Sequence, residues 1–178
     1  MKKRNKKKLN GNCKKRNDTQ LGPYPLGFDS MDEFLLFSQE ILSNTNTNGK
    51  TVLMMKGSSV TGHSFFSKKR FNKNSDFDIA LISRSLFKKA DNKGIEIRTN
   101  PVLHTMPLGN RGYSKLGTMD LVEMRDSASD VLNTKRPLHF MIFRNVHEAI
   151  QYSTPSLIVH VKKNRINDIN SYSTQFIQ

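Results

Sequence analysis

The stretch "MKGSSVTGHSFFSKKRFNKNSDFDIALIS", residues 55–83, decides how this chain is read. It sets a Gly-Ser-Ser turn, a basic segment and an Asp-Phe-Asp triplet between two apolar runs. A glycine at a strand end lets backbone come close to a bulky phosphate, and a serine beside it adds a hydroxyl donor. Gly57, Ser58 and Ser59 fit that description. A helix starting just after the turn would aim free N–H groups and its positive dipole end at an anion. Residues two apart in a strand share a face, so Asp76 and Asp78 project side by side. Two carboxylates that close repel each other unless a proton or a cation lies between them. Magnesium, or manganese in its place, suits carboxylates combined with phosphate oxygens and water. The bland reading is a solvent-facing strand; the other is a metal site for nucleotidyl or phosphoryl transfer.

The flanking sequence supplies a framework for such a site. Ser30 followed by Glu33 is a capping-box pattern, and Met31, Phe34, Leu35, Phe37, Ile41 and Leu42 follow at helical spacing. "TVLMMK" (51–56) reads as a short buried strand ending at Gly57, and "SDFDIALIS" (75–83) as a second strand. Residues 83–94 predict a short helix stopped by Gly94, and 95–117 begins as a strand and turns into an irregular, Gly/Pro-punctuated stretch. A helix is predicted over 118–133, a strand over 136–144, a helix over 146–152 and a final strand over 156–163. Strands alternating with helices predict an α+β (α/β mixed) fold with one mixed central β-sheet flanked by helices.

Charge is distributed unevenly. The chain has 178 residues and a formal net charge of +14, from 29 Lys and Arg against 15 Asp and Glu. Nine cations precede the first acid, Asp18; without them 20 bases face 15 acids, about +5. Residues 1–20 are therefore expected to form a basic disordered arm, because dense like charge repels and few apolar residues offset its ordering. Such an arm would suit phosphate, by counterion release on nucleic acid, or would serve as a solvated linker. The length predicts a single domain over 21–178. One cysteine, Cys13, excludes an intramolecular disulfide and a cysteine zinc site. No apolar run approaches the roughly 18 residues that span a bilayer, so the expectation is a soluble, cytoplasmic protein with no membrane partner.

The parts in this order resemble the signature of the DNA polymerase beta-like nucleotidyltransferase superfamily: an apolar residue, Gly, Gly or Ser, then two acids flanking an apolar residue on a strand. Here they stand as Gly57-Ser58 and Asp76-Phe77-Asp78-Ile79. The wider run, with "DEFLLFSQEI" before it and "RPLHFMIF" after, is similar to nucleotidyltransferase-like domains of bacterial polymorphic and contact-dependent-inhibition toxins. The resemblance spans roughly 28–160. It implies a minimal nucleotidyltransferase fold, with Gly57 and Ser58 on the triphosphate and Asp76 and Asp78 on Mg2+ (or Mn2+). The implied reaction moves a nucleoside monophosphate from an NTP to an acceptor, RNA (tRNA above all) or a protein hydroxyl, as a toxin or effector delivered into a target cell. An acidic immunity or antitoxin protein would match the surface charge.

Two departures follow. The segment between Gly57 and Asp76 is longer than the superfamily's, and Lys68, Lys69, Arg70 and Lys73 make it either a phosphate or RNA contact or a solvated loop. The superfamily's third carboxylate, on a later strand, falls at His139, so either two acids suffice, or Glu123 or Asp120 is recruited from the helix, or the site binds without turning over. Arg98, Arg111 and Lys115 are further candidates to reach phosphate, or plain surface residues, and His63 lies within the insert. A non-catalytic RNA- or nucleotide-binding module and an RNA-cleaving toxin are the rival readings.

Overall fold

The computed structural model describes residues 23–45, 51–65, 67–109, 113–133, 135–153, 155–161 and 172–177. The expected basic arm and Arg111 lie outside the described residues. Helix α1 (Met31–Ser43) starts where the capping box places it. The Ser30 hydroxyl accepts the Glu33 N–H at 3.1 Å. The Glu33 carboxylate accepts the backbone N–H groups of Asp29 (2.5 Å) and Asn133 (2.9 Å). One acid thus closes the first turn and ties the helix to a segment about a hundred residues away.

Five strands form the main sheet: β1 (Val52–Lys56), β2 (Phe77–Ile82), β5 (Leu138–Phe143), β6 (Ser156–Val161) and β7 (Tyr172–Ile177). Their order is β5-β2-β1-β6-β7, antiparallel throughout except for the parallel pair β2–β5. A parallel pair needs a crossover rather than a hairpin. That crossover carries α3 (Arg84–Asn92), the two-residue strands β3 (Ile97–Arg98) and β4 (His104–Thr105), α4 (Tyr113–Thr118) and α5 (Val122–Val131). A four-residue helix, α2 (Ser58–Thr61), follows β1, and α6 (Val146–Tyr152) follows β5. The architecture is α+β with a mixed sheet, as the element pattern predicts.

Three elements differ from the sequence expectation. The helix expected over 118–133 begins only at Val122, as α5, because Asp120 takes φ +57°, and α4 (Tyr113–Thr118) occupies the end of the stretch expected to be irregular. The strand expected from residue 95 is only the two-residue β3. Strand β7 was not anticipated; it pairs with β6 from Ser156↔Ile177 to Val161↔Tyr172 and forms the sheet edge.

Alternation along the strands separates two cores. Leu53, Met55, Phe77, Ile79, Leu81, Phe140 and Ile142 join α1 and α5 in the larger one. Phe28 lies 5.0, 5.1 and 4.8 Å from the rings of Phe34, Phe37 and Phe77, stacked flat on the last. Met54, Ala80, Ile82, Met141, Phe143 and Ile158 face the other way and pack with Ala149 of α6. Strand β2 is therefore buried on both faces, which is why it reads as a nearly continuous apolar run.

Candidate metal centre

The second face turns polar at one end of the sheet. By strand parity Lys56 follows Met54, Asp78 precedes Ala80, and His139 precedes Met141 on the same side. The register sets these three in one row, Lys56 opposite Asp78 in the antiparallel pair and Asp78 opposite His139 in the parallel pair. Asp76, one residue before β2, returns to the same side, and its Oδ2 lies 2.8 Å from His139 Nδ1. One ligating atom each from Asp76, Asp78 and His139 lies within 4.8 Å of the others. The pairing of β2 with β5 is what creates the cluster, since these residues are far apart in the chain.

Gly57 makes room for it. Its backbone sits at φ +68°, ψ −153°, a region that only glycine occupies readily. A Cβ there would collide with the Asp78 carboxylate. The glycine at the strand end is thus required by conformation and by the acid beside it. Val60 and Thr61 N–H groups donate to the Gly57 carbonyl at 3.0 and 3.1 Å and wind the chain into α2.

Electrostatics separates the two acids. The hydrogen bond from His139, the largest influence, holds the Asp76 carboxyl below its usual range. Burial, with the charge of Asp76 adding to it, pushes Asp78 up to about 6. Lys56 is 1% exposed, and burial lowers its ammonium to about 7 while Asp78 opposes that fall. Its Nζ donates to the Ser153 carbonyl (2.7 Å) and the Ser156 hydroxyl (2.9 Å), so this buried cation is hydrogen-bonded. Two carboxylates and an imidazole on adjoining strands, in a field that penalises the two negative charges, fit a divalent cation.

The remaining expected residues fall into distinct places. Ser58 is half-buried at the start of α2. Ser59, expected as a phosphate donor, is instead turned inward, and its hydroxyl donates to the Lys56 carbonyl at 3.1 Å. The insert forms a small hairpin through a His63↔Arg70 bridge and a Ser64 N–H to Lys69 carbonyl bond of 2.8 Å. Lys68, Lys69, Arg70 and Lys73 are all exposed. Neither alternative third acid joins the cluster: Asp120 is held by Lys89 at 2.8 Å, and Glu123 is exposed on α5. Beside Asp76 and His139 opens a cleft of about 610 Å³, also lined by Asn74, Arg98, Met106 and Pro137. His63 and Lys115 stand outside both the cluster and the lining of this cleft.

Three neighbours were missed from sequence. Lys56 carried a signal, a lone cation on the buried parity of an apolar strand. Phe65, 78% exposed with Lys68 Nζ 4.8 Å from its ring centre, is an aromatic surface within the basic hairpin. Tyr152 packs 5.6 Å from Phe143, and its hydroxyl is shifted upward by burial first and by Asp78 second. Among the described residues no helix is long and apolar enough to cross a membrane. No family model matches the chain, and no curated protein or solved structure matches it either.

Proposed function

We propose that the chain is a divalent-metal-dependent nucleotidyltransferase of minimal nucleotidyltransferase fold, acting on RNA, tRNA above all, or on a protein hydroxyl as a toxin or effector domain. The observation that carries this reading is the row at the sheet end. It sets the Gly57-Ser58 turn, which follows β1, beside Asp78 of β2 and His139 of β5, with Asp76 closing the cluster. Asp76 and Asp78 would hold the ion, with His139 beside them. When bound, the ion would neutralise charge developing on the transferred phosphoryl group.

In the reaction the acceptor hydroxyl gives up its proton to water as its oxygen forms a bond to the α-phosphorus of the NTP. The bond from that phosphorus to the β-bridging oxygen breaks, and pyrophosphate leaves with the electron pair. The turn at Gly57 and Ser58 brings backbone to the phosphates, and Lys68, Lys69 and Arg70 offer exposed cations for a nucleic-acid backbone. The cleft flanking Asp76 and His139 is of a size that accepts a nucleotide-sized group.

The test incubates the protein with α-labelled NTPs, Mg2+ or Mn2+ and total RNA, beside an Asp78→Asn control. Label should move to RNA with pyrophosphate release, and the variant should lose this. Label transfer that survives Asp78→Asn overturns the metal assignment, and unlabelled, shortened RNA points to cleavage instead. Exposed Phe65 among lysines favours a second reading, an RNA-binding module without turnover. Its signature is salt-sensitive RNA binding that ignores divalent metal.

A further inference from the structure

The donor set at the sheet end differs from one built of three carboxylates, and the difference has consequences for the metal. Sites that hold two divalent ions about 3.5–4 Å apart rely on carboxylates that bridge them, with more acids to balance the charge. The described cluster offers two carboxylates and one imidazole. Three other acids are engaged in ion pairs outside the cluster: Glu148 with Arg144, Asp120 with Lys89 and Glu96 with Arg98. Opposite Asp78 across the β1–β2 ladder stands a buried ammonium, Lys56, fixed by Ser153 and Ser156. Below about pH 7, where Lys56 is an ammonium, a second divalent ion would add to that positive charge, with no further carboxylate in the cluster among the described residues to offset it.

We infer that the Asp76–Asp78–His139 cluster takes a single divalent ion and prefers Mn2+ to Mg2+, with the buried Lys56 ammonium supplying the second positive charge. The preference follows from ligand chemistry. Mg2+ favours an all-oxygen shell, whereas imidazole suits first-row transition ions and adds no charge to hold magnesium. The Lys56 role follows from geometry. Its Nζ hydrogen bonds keep it beneath the surface, and the register holds it level with Asp78. Lys56 is a positioning residue, acting on the ion and the phosphates through Asp78. The inference rests on the metal-site reading above and is separable from transfer activity.

The experiment titrates the full chain with Mn2+, following free ion by electron paramagnetic resonance, and then competes with Mg2+. The expected result is one Mn2+ per chain, displaced by Mg2+ only at concentrations at least about tenfold higher. His139→Asp should narrow the Mn2+ to Mg2+ affinity ratio to within about threefold by restoring an all-oxygen set. Lys56→Met should tighten Mn2+ roughly tenfold by removing a like charge, with Lys56→Gln as the second variant should Met not fold. Two Mn2+ per chain, no Mn2+ binding, or a His139→Asp variant with an unchanged ratio each overturns the inference. Lys56 variants that bind Mn2+ no more tightly than the wild type overturn the role given to that residue. One bound Mn2+ with no label moved to any acceptor leaves this inference standing and removes the transferase reading. Label transfer with two bound ions does the reverse.

Discussion

The two faces of β2 belong to one strand of six residues yet obey different rules. On one face Phe77, Ile79 and Leu81 disappear into an aromatic core shared with α1. On the other, Ala80 and Ile82 are equally buried, but the row ends in Asp78, with Asp76 just beyond the strand and Lys56 and His139 alongside. The first face gains free energy from apolar area removed from water and from close packing. The second gives some of it back, since burying carboxylates and an ammonium costs free energy even when they are paired. One side of the sheet is apolar throughout, whereas the other carries a smaller apolar core and, at its end, the candidate site. Substitutions on the two sides should therefore separate cleanly.

Phe34→Ala gives the largest effect expected. Phe34 is fully buried against Phe28, so its loss should cost about 3–5 kcal/mol in denaturant unfolding. Below the transition, Mn2+ affinity should stay at the wild-type value; a parallel loss of affinity would show that the two faces are not independent. Gly57→Ala comes next, because the new Cβ meets the Asp78 carboxylate in a backbone region closed to alanine. It should cost roughly 2–4 kcal/mol and also abolish metal binding. Retained metal affinity would break the link drawn between the glycine and the acid.

Asp78→Asn tests the polar face through pH. The folded value of about 6 lies above the ordinary 3.8, so protonation favours the folded state. That contribution is complete below about pH 4 and is lost as pH rises through 6. Wild type should therefore gain about 2–3 kcal/mol relative to Asp78→Asn between pH 7 and pH 4 in metal-free buffer. Unfolding curves that keep the same separation at both pH values would contradict the burial assigned to this carboxylate. Removing Lys68, Lys69 and Arg70 together should change stability least, by less than about 0.5 kcal/mol per site, since all three are exposed. The readout there is RNA affinity, which should weaken with a shallower dependence on salt. An unchanged salt slope would leave the hairpin a solvated loop.

Much of this was legible in the sequence where the signal was local. The Ser30–Glu33 cap, the apolar spacing of α1, and α6 at residues 146–152 need only neighbouring residues, and the structure has them in those places. The parity of Asp76 and Asp78 likewise follows from strand geometry alone. What escaped depends on partners distant in the chain. Strand β7 reads as an alternating polar segment, and only pairing with β6 makes it a strand. The break between α4 and α5 rests on Asp120, a non-glycine residue at positive φ that propensity does not reveal. His139 was singled out because the resemblance puts a third carboxylate there, between Leu138 and Phe140. Its 2.8 Å approach to Asp76 required the parallel register, which no local pattern encodes. Lys56 stands on the buried parity of an apolar strand, but the carbonyl and hydroxyl acceptors that let it stay there belong to Ser153 and Ser156, distant in the chain.

The most direct test of the central claim is anomalous diffraction at the manganese edge from crystals grown with Mn2+ and a non-hydrolysable NTP analogue. A peak bounded by Asp76, Asp78 and His139 is expected, with the triphosphate density against Gly57 and Ser58. A nucleotide bound elsewhere, or a structure in which those three side chains ligate nothing while the analogue is bound, would contradict it.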